Sequence, residues 1–287
     1  MVYGAPYRDE TDIGGTPFLW GSRTYVMGVI NVTPDSFSGD GTGTDVDAAR
    51  RQALQFQEWG VDIVDVGGES TRPPSVYSGV ERVTVDEELS RVIPVIEALA
   101  PVLRIPISID TYKPRVAESA IVAGASMIND VWALQRCPGM ARVAAETGVS
   151  VVLMHNQHGT EYDDLVPDVI QALLRVIDIA VRAGVALDKI VVDPGIGFGK
   201  TAEQSLEVLR RLKELGRLAR PLLVGTSRKS SIGYVLDLPV EQRVEGTAAT
   251  VALSIAGGAD MVRVHDVKEM VRVARMSDAI VRGWRQE

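Results

Sequence analysis

Cysteine is nearly absent. Cys137 is the one thiol in 287 residues, so the chain supports neither an internal disulfide framework nor a cysteine-rich metal site. Aromatic residues are scarce at 5%, which leaves Val, Ile, Leu and Ala to fill most of a core. Positive charge is in deficit, since 30 Lys+Arg against 38 Asp+Glu give a net charge of −8. That balance argues against a nucleic-acid binder, whose electrostatic footprint would be basic. No run approaches the about 18 apolar residues needed to cross a bilayer. The first ten residues have neither an apolar signal core nor an arginine-rich targeting pattern. The expectation is a cytoplasmic protein with no nucleic-acid and no membrane partner.

Hydrophobic residues at 46% and charged residues at 24% are globular proportions rather than those of a disordered chain. The length suits two ordinary domains or one large α/β barrel. Short apolar, β-branched runs recur at 25–30, 63–66, 105–109, 127–128, 149–154, 190–192, 222–224 and 261–264. Between them lie stretches of helical spacing, among them 46–59, 87–99, 165–183, 203–215, 243–256 and 268–284. Buried-type strands alternating with helices predict a parallel sheet. Eight units in about 260 residues is the arithmetic of a (β/α)8 TIM barrel, which typically takes ~250. An open doubly wound sheet is the alternative, but no glycine-rich dinucleotide turn follows the first strand. Residues 1–24 read as a tail plus a hairpin closing the barrel's lower end, and 25–287 as one barrel.

The ends of the strands carry the functional signal. They run into Asn31, Gly67-Gly-Glu69, Asp110-Thr111, Asn129-Asp130, His155-Asn156, Asp193-Pro-Gly, Thr226-Ser227-Arg228-Lys229 and Arg263-Val-His265. A barrel gathers all eight ends around one mouth, where barrel enzymes place their chemistry. Asp110, Asn129 and Asp193 suit a flat heterocycle with several donors, because a carboxylate accepts two parallel N–H bonds. Helix capping explains any one of them as well; for the three together a ligand edge is the better account. Arg72, Arg228, Lys229, Arg263 and His265 form a cationic set suited to phosphate or diphosphate. Singly, each is more simply a solvated loop residue.

Two motifs mislead. Residues 194–201, PGIGFGKT, resemble a phosphate-binding loop, but Pro194 replaces the first glycine and the segment follows the sixth strand. Gly195, Gly197 and Gly199 instead suit a backbone that approaches a flat ligand, with Phe198 beside it. His155-x-x-His158 has a metal-like spacing without a third ligand nearby, so solvated or capping histidines are expected.

The segments GVINVTPDSFS (28–38), DVGGESTRP (65–73), SIDT (108–111), IND (128–130), DPGIGFGKT (193–201), GTSRKS (225–230) and VRVHD (262–266) closely resemble the dihydropteroate synthase family. They are colinear and cover most of 25–266. The resemblance implies a TIM-barrel enzyme of folate synthesis. Such an enzyme condenses a 6-hydroxymethyl-dihydropterin diphosphate with 4-aminobenzoate, requires Mg2+ and forms a homodimer. By the family pattern Asp110, Asn129, Asp193 and Lys229 hold the pterin ring, with Phe198 and Gly225 beside it. Arg263 and His265 bind the diphosphate, and Asn31 helps hold Mg2+. Thr71, Arg72, Pro73, Phe37 and Ser230 resemble the aminobenzoate site, Thr71 reaching the pterin diphosphate as well. Asp110, Asp193, Lys229, Arg263 and His265 are the expected catalytic set.

That chemistry agrees with the residues. Diphosphate leaves readily once cations take up its charge, and a weak aromatic amine then meets a cation-like pterin methylene. Loops 31–44 and 67–80, rich in Gly, Pro, Ser and Thr, are expected to act as lids. Three departures stand out. Gly39-Asp40-Gly41 shifts the loop's second aspartate by one place, so Asp40 is a metal ligand only if the loop adjusts. Trp132 and Ser231 stand where the family has a small and a bulky residue. A pterin-binding methyltransferase and a non-catalytic pterin-binding paralogue are the competing readings. Neither uses the STRP and SRK segments and the cationic set together.

Overall fold

The computed structural model describes residues 10–32, 45–69 and 83–284. Strands β1 (Glu10–Ile13) and β2 (Thr16–Leu19) form an antiparallel hairpin. Eight parallel strands follow: β3 (Tyr25–Asn31), β4 (Ile63–Gly67), β5 (Ile107–Asp110), β6 (Met127–Asp130), β7 (Ser150–Met154), β8 (Ile190–Asp193), β9 (Leu223–Val224) and β10 (Met261–Val264). Their order is β8-β7-β6-β5-β4-β3-β10-β9. A parallel bridge between Val192 and Leu222 joins the two ends, with the Val192 N–H donating to the Pro221 carbonyl at 2.9 Å. The sheet thus closes into the (β/α)8 TIM barrel that the alternation predicts.

Helices α1 (Val46–Trp59), α2 (Val85–Leu99), α3 (Pro114–Ala123), α4 (Met140–Thr147), α5 (Leu165–Arg182), α6 (Ala202–Arg210), α7 (Ser230–Leu236), α8 (Val244–Ala256) and α9 (Val267–Asp278) surround it. Their starts are written in the sequence. Thr84 and Thr201 each form a reciprocal capping box, with Glu87 and Gln204 respectively. The helices that periodicity does not announce are α3, α4 and α7, which have ten, eight and seven residues. Windows that short carry little 3.6-residue signal. The helical stretch 203–215 also divides, ending as α6 at Arg210 and continuing as a 3₁₀ segment, Leu212–Leu218.

The strands look uniformly apolar in sequence because both faces are buried, yet the period of two is strict. Tyr25, Met27, Ile63, Met127, Val152, Val191, Leu223 and Met261 share one cluster with Ile13, Phe18 and Trp20 of the hairpin region. Their neighbours Val26, Val64, Ile128, Val151, Val192, Val224 and Val262 pack outward into the helical layer. The hairpin therefore plugs the lower end of the barrel. It is held by Trp20 Nε1 donating to Thr11 Oγ1 at 2.9 Å and by Thr11 Oγ1 donating to the Asp188 carbonyl at 2.7 Å. Lys189 Nζ adds a bond to the Asp12 carbonyl at 2.6 Å.

Two residues further up four of these strands, on the same inward face, the side chains change character. Above Ile63, Met127, Val191 and Met261 stand Asp65, Asn129, Asp193 and Arg263. The register pairs Asp110 with both Gly67 and Asn129, which completes the polar layer. Phe18→Ala should lower stability by about 3–5 kcal/mol, read as a reduced urea midpoint. Its kcat should stay near the parent value, because the deleted ring lies at the end of the barrel away from this layer.

Candidate active site

Arg263 organises the polar layer. Its Nε donates to Asp65 Oδ2 at 2.7 Å and its Nη2 to Asp110 Oδ2 at 2.8 Å. Asn129 Nδ2 donates to the same Asp65 oxygen at 2.9 Å. One guanidinium thus holds two carboxyl groups. Burial pushes the Asp110 carboxyl up to about 7, against the pull of Arg263 and with Asp65 repelling it. Among the described residues, Asp65 Oδ1 and Asp110 Oδ1 are buried acceptors without a hydrogen-bond partner. Such atoms are costly inside a protein unless a ligand's donors reach them.

Asp193 forms the adjoining wall. Its Oδ1 accepts the Gly195 N–H at 2.7 Å. Burial raises its carboxyl to about 6, opposed by that N–H and by the charges of Lys229, Lys200 and Arg263. The Phe198 ring packs with Val131, Met154 and Trp132, and Lys229 Nζ lies 4.1 Å from its centroid, a cation–π contact. Gly225 follows β9 directly and lies beside Arg263, its hypothetical Cβ 3.8 Å from the arginine's. Asp110, Asn129, Asp193, Phe198, Gly225, Lys229 and Arg263 therefore converge on one pocket. Capping does not explain Asp110 or Asn129; Asp193 does accept the Gly195 N–H two residues on, and Asp130 takes the same kind of role, accepting the Trp132 and Leu134 N–H groups, each at 2.8 Å.

At the mouth, His265 Nδ1 lies 3.0 Å from Ser227 Oγ, which also accepts the His265 backbone N–H at 3.1 Å. Ser230 begins α7. Arg228, expected among the phosphate-facing cations, is instead engaged by Asp266 through Nε at 3.0 Å and through Nη2. Its φ of 57° is left-handed, an unusual conformation for a side-chain-bearing residue. Lys229 lies on Phe198 while its neighbour Arg228 is paired with Asp266. Phe37, Asp40, Thr71, Arg72 and Pro73, with most of the two expected lid loops, lie outside the described residues.

Asn31 ends β3 opposite Gly67, presenting one hard amide oxygen at the mouth. No group of three His, Cys, Asp or Glu side chains suited to a metal exists among the described residues. An amide oxygen is the hard donor type that Mg2+ takes, the rest of its shell commonly coming from water and phosphate oxygens.

One expectation needs correction. His155 is neither solvated nor capping; it is 5% exposed, and its Nδ1 lies 2.8 Å from Lys200 Nζ. The glycines of residues 194–200 also serve the protein itself. Gly195 has φ 69° and a Cβ there would fall 1.9 Å from the His155 carbonyl oxygen, while Gly199 has φ 55° and sits against the Gln157 backbone. Asp65 is the residue that motif reasoning passed over. Its signal was parity, because it stands two places after Ile63 on a strand otherwise apolar throughout.

Residues 27–265 match the family described as pterin binding enzyme. A dihydropteroate synthase of Clostridium beijerinckii is 51% identical over 271 residues, covering 94% of this chain and 99% of that protein. The chain belongs to the dihydropteroate synthases. Within this family, the structure from Clostridium difficile in the presence of pteroic acid is 52% identical, with a TM-score of 0.88 and coverage of 92% and 98% of the two chains. A dihydropteroate synthase from Xanthomonas albilineans in complex with 7,8-dihydropteroate is 42% identical, with a TM-score of 0.86 and coverage of 94% and 98%. The polar layer of this dihydropteroate synthase family member makes a direct prediction. Asp65→Ala strips Arg263 and Asn129 of a shared acceptor, and loss of charge-assisted bonds of this kind should cut kcat/KM by about 10–100-fold. Circular dichroism should show the fold retained; a rate within twofold of the parent would remove Asp65 from the site.

Proposed function

We propose that this chain condenses (7,8-dihydropterin-6-yl)methyl diphosphate with 4-aminobenzoate, giving 7,8-dihydropteroate and diphosphate in folate biosynthesis. The observation that carries the reading is the pair of buried, unmatched carboxylate oxygens, Asp65 Oδ1 and Asp110 Oδ1, held on Arg263 in the polar layer. A pterin edge offers a row of N–H donors that such oxygens accept. Asn129 and Asp193 extend the edge, and the Phe198 ring lies against the flat heterocycle.

In this reading the methylene–oxygen bond breaks and its electron pair leaves with diphosphate. The buried carboxylates stabilise the cation left on the pterin methylene. The amine nitrogen of 4-aminobenzoate then bonds to the methylene and loses a proton, with no covalent enzyme intermediate. Arg263 spends Nε and Nη2 on carboxylates, and among the described residues neither carboxylate takes Nη1, so the same guanidinium can also meet the departing diphosphate. Lys229 and His265 stand on the neighbouring strand ends to take up the remaining charge. Asn31, with Asp40 from the first loop, would hold Mg2+, which when bound helps neutralise the diphosphate. Phe37, Thr71, Arg72, Pro73 and Ser230 are proposed to form the aminobenzoate wall.

The same reading takes the protein as cytoplasmic and homodimeric. No helix among the described residues is long and apolar enough to cross a membrane. Tyr234, Val235 and Leu236 of α7 and Leu253 of α8 are exposed on two helices that pack together, an apolar surface suited to a second copy. Sedimentation should give about twice the 31.0 kDa chain mass; a monomer throughout the micromolar range would refute the dimer.

The activity is tested by supplying both substrates with Mg2+ and measuring diphosphate release. Release that requires 4-aminobenzoate is expected, and folded protein without it would point to a non-catalytic paralogue. Lys229→Ala and Asp193→Ala should each lower kcat/KM by about 100-fold or more while the barrel stays folded.

A further inference from the structure

The segment from Pro194 to Lys200 is drawn together by one buried ammonium. Lys200 is 8% exposed. Its Nζ donates to the Gly195 and Phe198 carbonyls, both at 3.1 Å, and pairs with His155 Nδ1 at 2.8 Å. An ammonium has three N–H donors, and here each has an acceptor; burial lowers the Lys200 amine to about 7 against the pull of Asp193, so it is the protonated form that makes all three bonds. Burial first, and then the Lys200 charge, pushes the His155 imidazole down to about 3. His155 is therefore neutral, and with Lys200 donating, Nδ1 is the acceptor and the ring proton sits on Nε2.

The bonded groups belong to the pocket wall. Gly195 is the residue whose N–H holds Asp193 Oδ1 at 2.7 Å. Phe198 is the residue whose ring carries Lys229 Nζ at 4.1 Å. His155 gives its backbone N–H to the Asp193 carbonyl at 2.8 Å, and its own carbonyl is what crowds Gly195. The left-handed glycines let the segment take many shapes, and the three acceptors of one ammonium select a single one.

We propose that Lys200 is a positioning residue for the pterin pocket, fixing the loop that orients Asp193 and Phe198 through its bonds to Gly195, Phe198 and His155. The proposal rests on the pterin reading given above. Lys200 touches no substrate in this role. Its charge also supports the Asp193 carboxylate from behind, alongside Lys229 and Arg263, against the larger effect of burial.

The test compares the full chain with Lys200→Met, Lys200→Gln, His155→Asn and His155→Ala. The probe is 6-hydroxymethylpterin, titrated calorimetrically across pH, with KM for both substrates and thermal midpoints measured in parallel. Parent affinity should fall on acidification as Asp110 protonates around pH 7, and fall again through about pH 6 as Asp193 protonates. Lys200→Met and Lys200→Gln should weaken the pterin about tenfold or more and move the Asp193 fall to higher pH, leaving the KM for 4-aminobenzoate within twofold. His155→Asn keeps an acceptor near the Nδ1 position and should retain pterin affinity, whereas His155→Ala should lose it. Parent-like affinity in folded Lys200 variants overturns the proposal, as does an equal rise in both KM values with the pH profile unmoved. If the Lys200 variants do not fold, the two His155 variants decide, and equal affinities between them overturn it. Failure of the parent itself to bind the pterin would overturn the functional reading instead.

Discussion

The grip of Arg263 on Asp65 and Asp110 is the constraint on which the rest depends. Two carboxylates set side by side within a barrel would repel and protonate, and a lone guanidinium there would be heavily penalised by desolvation. Together they tolerate burial, and each carboxylate still keeps one oxygen for another partner. The arrangement resembles a socket more than a structural ion pair. The barrel supplies the setting, because strands β4, β5, β6 and β10 bring residues from positions 65 to 263 into one layer.

Much of this was legible beforehand. Eight apolar runs separated by helical spacing define the barrel, and eight polar strand ends define its working rim. The strands hid their alternation because helices bury the outer face with the same residue types that fill the interior. Asp65 stayed inconspicuous for that reason, lying inside a run that reads as core, while Asp110 and Asn129 stand at its boundary. Arg228 misled in the opposite sense. Its neighbour Lys229 lies on Phe198, and only the structure shows that Arg228 is paired with Asp266. His155 illustrates a third case, since spacing shows which histidines are near each other and not which atoms fill the space between helix and strand.

Net charge likewise describes the surface and not the site. A chain at −8 holds Arg263, Lys229 and Lys200 within the influence of one aspartate, Asp193. The cations differ in duty: Arg263 holds carboxylates, Lys229 rests on an aromatic face, and Lys200 is turned away into the protein.

The hairpin of β1 and β2 makes the barrel a vessel with a single door. Ile13, Phe18 and Trp20 pack against the barrel's lowest inward layer, so among the described residues the barrel is closed from below. Whatever lies deepest must arrive first and depart last. A pterin seated on Asp65, Asp110 and Asn129 would be trapped beneath any molecule that followed it into the mouth, so the second reactant has to be the one nearer the solvent. The sealed floor thereby imposes a sequence of events that no catalytic side chain encodes.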